Sequence, residues 1–124
     1  MIQLLRQLTP PSHGNREWLT VPSGSEYKVI SAEEVLYLRA IHEYTEVVTQ
    51  KSSSLVTTPL QQMRERLDPE AFWHIRRGAI VNVSAIESIH RTFRGLLEIN
   101  VRDRATFLPV SAAYAHRFRV RSGV

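Results

Sequence analysis

Leu97, Ile99 and Val101 alternate with Glu98, Asn100 and Arg102, the period-2 pattern of a strand with one face buried and the other wet. The remaining apolar segments are just as short. Trp18-Leu19-Thr20-Val21 ends at Pro22 and the turn residues Ser23-Gly24-Ser25, and Tyr27 to Ile30 follows. Val35 to Ile41 and Thr45 to Thr49 flank His42-Glu43-Tyr44, as a hairpin or as two adjacent strands. Ile86 to Phe93 and Leu96 to Val101 are joined across Arg94-Gly95; Arg102-Asp103-Arg104 then turns the chain, and Thr106 to Val110 pairs back. A chain cut this finely by turn residues is a β protein built from small pieces, and nothing in it repeats at a fixed period.

Helical signals are few. Thr58-Pro59 has the form of a cap followed by proline at the first helical position, and Leu60, Met63 and Leu67 recur at i, i+3 and i+7. This predicts about two turns of helix, ended by Asp68-Pro69. Ser111 is placed to cap a final helical stretch running to Arg119. Near the start, Ile2 to Leu8 has apolar residues at helical spacing, and Thr9 to Asn15 breaks any regular structure. Residues 1–16 therefore read as a helix tail and linker, the remnant of a connection to an upstream domain, and residues 17–124 as the domain proper.

With 124 residues, 43% hydrophobic and 23% charged, the chain can form one domain with a core. No apolar run approaches the ~18 residues of a membrane span, and Met1 to Leu5 lacks the features of a signal peptide. The absence of cysteine excludes disulfides and thiolate chemistry and fits a cytoplasmic protein. Five histidines show neither an i, i+4 pair nor metal-ligand spacing, and no glycine-rich phosphate loop or paired catalytic carboxylates are present. The expectation is a protein that is not an enzyme and needs no cofactor or metal.

The formal charge of +4 is unevenly spread. Residues 1–50 hold four basic and six acidic groups; residues 51–124 hold twelve and six. Fourteen of the sixteen cations are arginine, whose planar fork matches guanine edges and phosphates, although genome composition can produce the same bias. The most pointed window is Phe72 to Asn82, in which Arg76-Arg77-Gly78 stands before Ala79-Ile80-Val81. Two guanidiniums at the mouth of a strand are either solvated or aimed at something rich in acceptors. Asn82, ending the apolar run, is expected to hydrogen-bond the turn that follows.

Three anchors in this order carry a family resemblance: Tyr37-Leu38-Arg39-Ala40 with Tyr44 after it, Phe72 to Asn82 with Ile86 beyond, and Leu108-Pro109-Val110-Ser111 with Tyr114. From about Tyr27 to Phe118 the chain resembles the LytTR-type DNA-binding domain of bacterial response regulators. The resemblance implies a mainly β fold, a stack of small antiparallel sheets with about ten short strands and one or two short helices. It further implies sequence-specific binding of double-stranded DNA at promoter direct repeats, through loops in successive major grooves. In that picture the domain serves a two-component transcription regulator, with an upstream receiver domain and a possible homodimer on DNA. No basic amphipathic helix here offers itself as a recognition helix, which agrees.

Carried onto this sequence, the resemblance puts the first DNA-contacting loop at His42, Glu43 and Tyr44. Tyr44 has two readings, a phosphate or thymine-methyl contact and a tyrosine closing a half-buried hairpin. The second loop falls on Arg76 and Arg77, with Arg77 at the position of the family's arginine and matched to a guanine contact. Arg76 is assigned to a phosphate or to solvent. The third falls at Ser111, Ala112 and Ala113, just before the last helix, with Ser111 in a secondary role through phosphate at the helix start. Arg117, Arg119 and Arg121 are a solvated tail or nonspecific phosphate contacts. The chain departs from the family where it has Arg76 for histidine, Gly78 for serine, Ala79 for an aromatic and Ala112 for arginine. Its apolar positions are kept and its polar ones loosened. The competing reading is a protein-interaction or ligand-sensing module on the same scaffold, since exposed strand edges can recruit partners.

Overall fold

The structure, a computed structural model, describes residues 18–118; the helix tail and linker expected over 1–16, together with Arg119 and Arg121, lie outside them. In chain order the elements are β1 (Trp18–Ser23), β2 (Glu26–Ser31), a 3-10 turn η1 (Ala32–Glu34), β3 (Val35–Ile41), β4 (Tyr44–Thr49), β5 (Ser53–Val56) and the helix α1 (Leu60–Glu65). Then come β6 (Phe72–Arg76), β7 (Ala79–Asn82), η2 (Val83–Ala85), β8 (Ile86–Arg91), β9 (Leu97–Val101), β10 (Phe107–Val110) and a longer 3-10 helix, η3 (Ala112–Phe118). Every strand pair is antiparallel. The strands make a hairpin β1-β2, a central sheet β5-β4-β3-β7-β6 and a three-stranded sheet β10-β9-β8. The expected mainly β stack of about ten short strands is therefore what the chain forms.

The central sheet is covered on both faces. Leu38, Val47, Val56, Phe72 and Ile80 pack with Leu19, Val21 and Ile30 of the β1-β2 hairpin and with Leu60, Met63 and Leu67 around α1. On the opposite face Tyr37, Val48, Ile75, Ala79 and Val81 pack with Leu97, Ile99 and Val101 of β9, Leu108 and Val110 of β10, and Phe118. A strand between two layers must be apolar at successive positions. This accounts for the run Val35-Leu36-Tyr37-Leu38 and for Ala79-Ile80-Val81, which sends Ile80 one way and its neighbours the other. The alternating residues of β9 do what their pattern predicts, with Leu97, Ile99 and Val101 buried.

Asn82, at the end of β7, ties that strand to β3 and to the turn that follows. Its Nδ2 donates to the carbonyl of Val35 at 2.8 Å, and its Oδ1 accepts from the backbone N–H of Ser84 at 3.0 Å and from the Ser84 hydroxyl at 2.8 Å. The expected bond to the following turn is thus present, and a second one, across the sheet to β3, accompanies it.

Two local expectations are corrected, and one strand without an expectation is found. Thr58 does not cap α1: Pro59 occupies the N-cap position without a side-chain bond, and the Thr58 carbonyl instead accepts the Oγ1 hydroxyl of buried Thr45 at 2.7 Å. The buried Thr45 hydroxyl is thereby given the partner it needs. Ser53–Val56, passed over in the sequence, is a strand because it pairs with β4. Ser111 enters η3 through its backbone, its carbonyl accepting from Tyr114 N–H at 3.0 Å, since a 3-10 start is closed by an i to i+3 main-chain bond.

Candidate nucleic-acid interface

The hairpin β3-β4 closes at Ile41↔Tyr44, leaving His42 and Glu43 as a two-residue turn. His42 has φ 55, a left-handed conformation that costs a residue with a side chain about 1 kcal/mol. His42 and Glu43 are exposed, and Tyr44 keeps 39% of its surface open. The β6-β7 hairpin closes at Arg76↔Ala79, with Arg77 and Gly78 in the turn, after a register shift between His74 and Arg76. Because β3 also pairs with β7, through Arg39↔Ala79, both turns lie at the same end of the central sheet. Ala40 N–H donates to the Gly78 carbonyl at 2.8 Å, locking one turn beside the other.

The third segment reaches the same end from another sheet. Leaving β10, Ser111 donates its backbone N–H to the Ile75 carbonyl at 2.8 Å, two residues before Arg77. The chain then runs back along β6 as η3: Tyr114 stacks on His74 at 5.5 Å between centroids, and Phe118 meets Trp73 edge-on at 5.2 Å. Arg117 lies over the Trp73 ring at 4.2 Å, so its guanidinium already has an aromatic partner. His42, Glu43, Tyr44, Arg76, Arg77, Ser111 and Ala112, drawn from segments about 70 residues apart in sequence, are thereby gathered at one end of the molecule.

The two adjacent arginines differ in environment. Arg77 is exposed and has no hydrogen-bond or ion-pair partner among the described residues. Arg76 is half-buried, and its Nη1 is buried without a hydrogen-bond partner among those residues. The Arg76 carbonyl accepts from His74 Nδ1 at 3.1 Å, which steadies the bulge that turns Arg77 outward. Ala112 is exposed and offers only a methyl group; Ser111 is half-buried.

Sequence reasoning missed a charge cluster on the strands behind the first turn. Arg39 Nε donates to Glu46 Oε1 at 2.6 Å, and the Ser53 hydroxyl donates to Glu46 Oε2 at 2.6 Å. Burial alone would raise the Glu46 carboxyl, but the hydrogen bonds from Ser53 and Arg39, with the Arg39 and Arg104 charges, hold it below the ordinary carboxylate range. The Glu46 hydrogen bond in turn raises Arg39 despite the opposing effect of burial. The signal was available: a turn at 42–43 places 39 opposite 46. Arg39 is consequently committed to Glu46, whereas Arg77, in the neighbouring turn, is exposed and without a hydrogen-bond or ion-pair partner among the described residues.

Exposed turns, one of them carrying an arginine without a hydrogen-bond or ion-pair partner among the described residues, thus stand at one end of a three-layer β stack. The chain belongs to the LytTr DNA-binding domain family, which it matches over residues 25–122. It is 33% identical over 122 residues to an uncharacterized response regulatory protein of Vibrio cholerae, a match covering 95% of this chain and 45% of that protein. The chain thus spans about half the length of this relative. Its fold is similar to the LytTr DNA-binding domain of a Bacillus cereus response regulator, with a TM-score of 0.74 at 24% identity, over 82% of this chain and 93% of the other.

Proposed function

We propose that this domain binds duplex DNA sequence-specifically, as the effector part of a two-component transcription regulator, and that it does so with the end of the central sheet where the three segments meet. The observation that carries the assignment is the convergence of the 42–43 turn, the 77–78 turn and Ser111, which places exposed Arg77 at the middle of the row. In this reading Arg77 enters the major groove and forks onto guanine N7 and O6, the bidentate contact for which a guanidinium is shaped. His42 and Glu43 reach base edges beside it, with Glu43 able to accept from a cytosine amine. Tyr44 donates to a phosphate. Arg76, with part of its guanidinium held inside, contributes charge near the backbone, and Ser111 and Ala112 abut the backbone at the far side.

Direct repeats in promoters are the expected targets. An upstream receiver domain that pairs two copies raises the affinity of each for its half-site through effective concentration. The test is selection of duplexes from a random library with this chain, followed by titration of the enriched duplex at several salt concentrations. Recovery of a repeated motif, bound with a logarithmic salt slope of about −0.9 per neutralised phosphate, supports the proposal. Failure to enrich any motif, or binding indifferent to salt, overturns it.

A further inference from the structure

A fourth loop stands beside these three, at the tip of the β8-β9 hairpin. Arg91, Leu97 and Val110 are abreast on β8, β9 and β10, so residues 92–96 project past the strand ends on the side where Ser111 leaves β10. Ser111 in turn is bonded to Ile75. The tip therefore continues the row of turns 42–43, 77–78 and 111–112, one sheet further along.

The tip is built, not loose. Thr92 N–H donates to Leu96 O at 2.7 Å, Gly95 N–H to Thr92 O at 2.8 Å, and Leu96 N–H to Thr92 Oγ1 at 3.2 Å. Arg91 Nη1 reaches across to Gly95 O at 3.0 Å, and Gly95 takes φ 86, a conformation suited to glycine. What this closed loop displays is Phe93, 99% exposed, with Arg94 exposed next to it and Leu96 half open. No carboxylate occurs between Arg91 and Leu97, and the nearest one in sequence, Glu98, is engaged with His90 at 3.1 Å. A fully wet phenyl ring between two arginines suits a surface that is anionic and also has apolar edges. The backbone and minor groove of a duplex are such a surface, where phosphates take guanidiniums and apolar wedges pack on sugars and base steps.

We infer that the β8-β9 tip is a fourth DNA-contacting element, in which Arg94 takes a phosphate and Phe93 packs into the flanking minor groove while Arg91 holds the loop closed. The inference rests on the DNA-binding reading above and extends it to residues outside the three loops. Charge complementarity and continuity with those loops favour DNA over a protein partner.

The experiment compares the parent chain with Arg94→Ala, Arg94→Lys and Phe93→Ala on a duplex enriched by selection and on a random-sequence duplex, each over a salt series. All three substitutions lie on an exposed tip and leave the core untouched. Arg94→Ala is expected to weaken both duplexes by the same factor and to reduce the salt slope by about 0.9, with Arg94→Lys restoring the slope. Phe93→Ala is expected to bind about tenfold more weakly with the slope unchanged, the factor for returning half of the ring to water. If the parent selects and binds its duplex while Arg94→Ala and Phe93→Ala match it in affinity and slope, the fourth contact is refuted and the three-loop reading stands. If the parent enriches no duplex, the underlying reading has failed instead.

Discussion

Asn82 is 2% exposed, and its three hydrogen bonds join the end of β7 to β3 and to the η2 turn. The bond to Val35 matters most. The β3-β4 register shifts between Val35 and Tyr37, and Asn82 Nδ2 covers the Val35 carbonyl at that irregularity. In Asn82→Ala this buried carbonyl loses its donor, at a cost of about 1–3 kcal/mol, and the two bonds to Ser84 are worth roughly 1 kcal/mol each, in part regained from water because Ser84 is exposed. The expected loss is about 3 kcal/mol. For a domain of this size that lowers Tm by roughly 12–24 °C.

Asn82→Asp separates the two ends of the network. The carboxylate still accepts from Ser84 but places a charge against the Val35 carbonyl, so the folded state disfavours ionisation and raises the pKa of the introduced group. A raised folded pKa means that the penalty is absent at low pH, where the neutral acid can donate to Val35, and grows as pH rises through the carboxylate range. Urea denaturation of the parent and both variants at pH 4 and pH 8 measures this. An Asn82→Ala loss below about 1 kcal/mol, or an Asn82→Asp penalty equal at the two pH values, would refute the reasoning.

Gly78 lacks a positive φ, and a Cβ there would meet only the Ala40 Cβ at 3.8 Å, an ordinary contact. Gly78→Ser should therefore be accommodated and gain up to about 0.4–1 kcal/mol from the stiffer unfolded chain, read as a higher urea midpoint; a lower midpoint contradicts it. Arg76→Met removes a buried guanidinium nitrogen without a partner, so thermal melts should show unchanged or higher stability, by up to about 1 kcal/mol, and a clear loss would mean Nη1 is satisfied after all. Glu46 has a depressed folded pKa, so its ionised form stabilises the fold above the ordinary carboxylate range and that contribution fades as pH falls through the folded value. Parent and Glu46→Gln should accordingly differ by about 0.2–1 kcal/mol at pH 7 and converge in acid; a gap that widens on acidification has the wrong sign.

Much of the fold was legible because strands with one wet face declare themselves by alternation, as β9 does. β5 did not, since Ser53-Ser54-Leu55-Val56 has little apolar pattern of its own and is extended by its partner β4. The continuous apolar run of β3 signals burial but not which layer covers which face; that became clear only with the β1-β2 hairpin on one side and β9-β10 on the other. At the candidate site, each turn could be read locally and the family resemblance put them in order. Their meeting point could not be read, because it depends on the pairing of Arg39 with Ala79 and on a main-chain bond from Ser111 to Ile75. Nor did the sequence separate Arg76 from Arg77 by environment. The bulge after His74 decides which guanidinium turns outward.

The central claim is that Arg77 reads sequence from the end of the central sheet. The direct test is the ratio of affinities for the selected duplex and a random duplex, measured for the parent, for Arg77→Ala and for Lys51→Ala, whose lysine sits on the β4-β5 turn at the opposite end. Loss of a bidentate guanine contact should lower the Arg77→Ala ratio by about 5- to 150-fold, while Lys51→Ala keeps the parent's ratio. An Arg77→Ala protein that discriminates between the two duplexes as well as the parent would contradict the account.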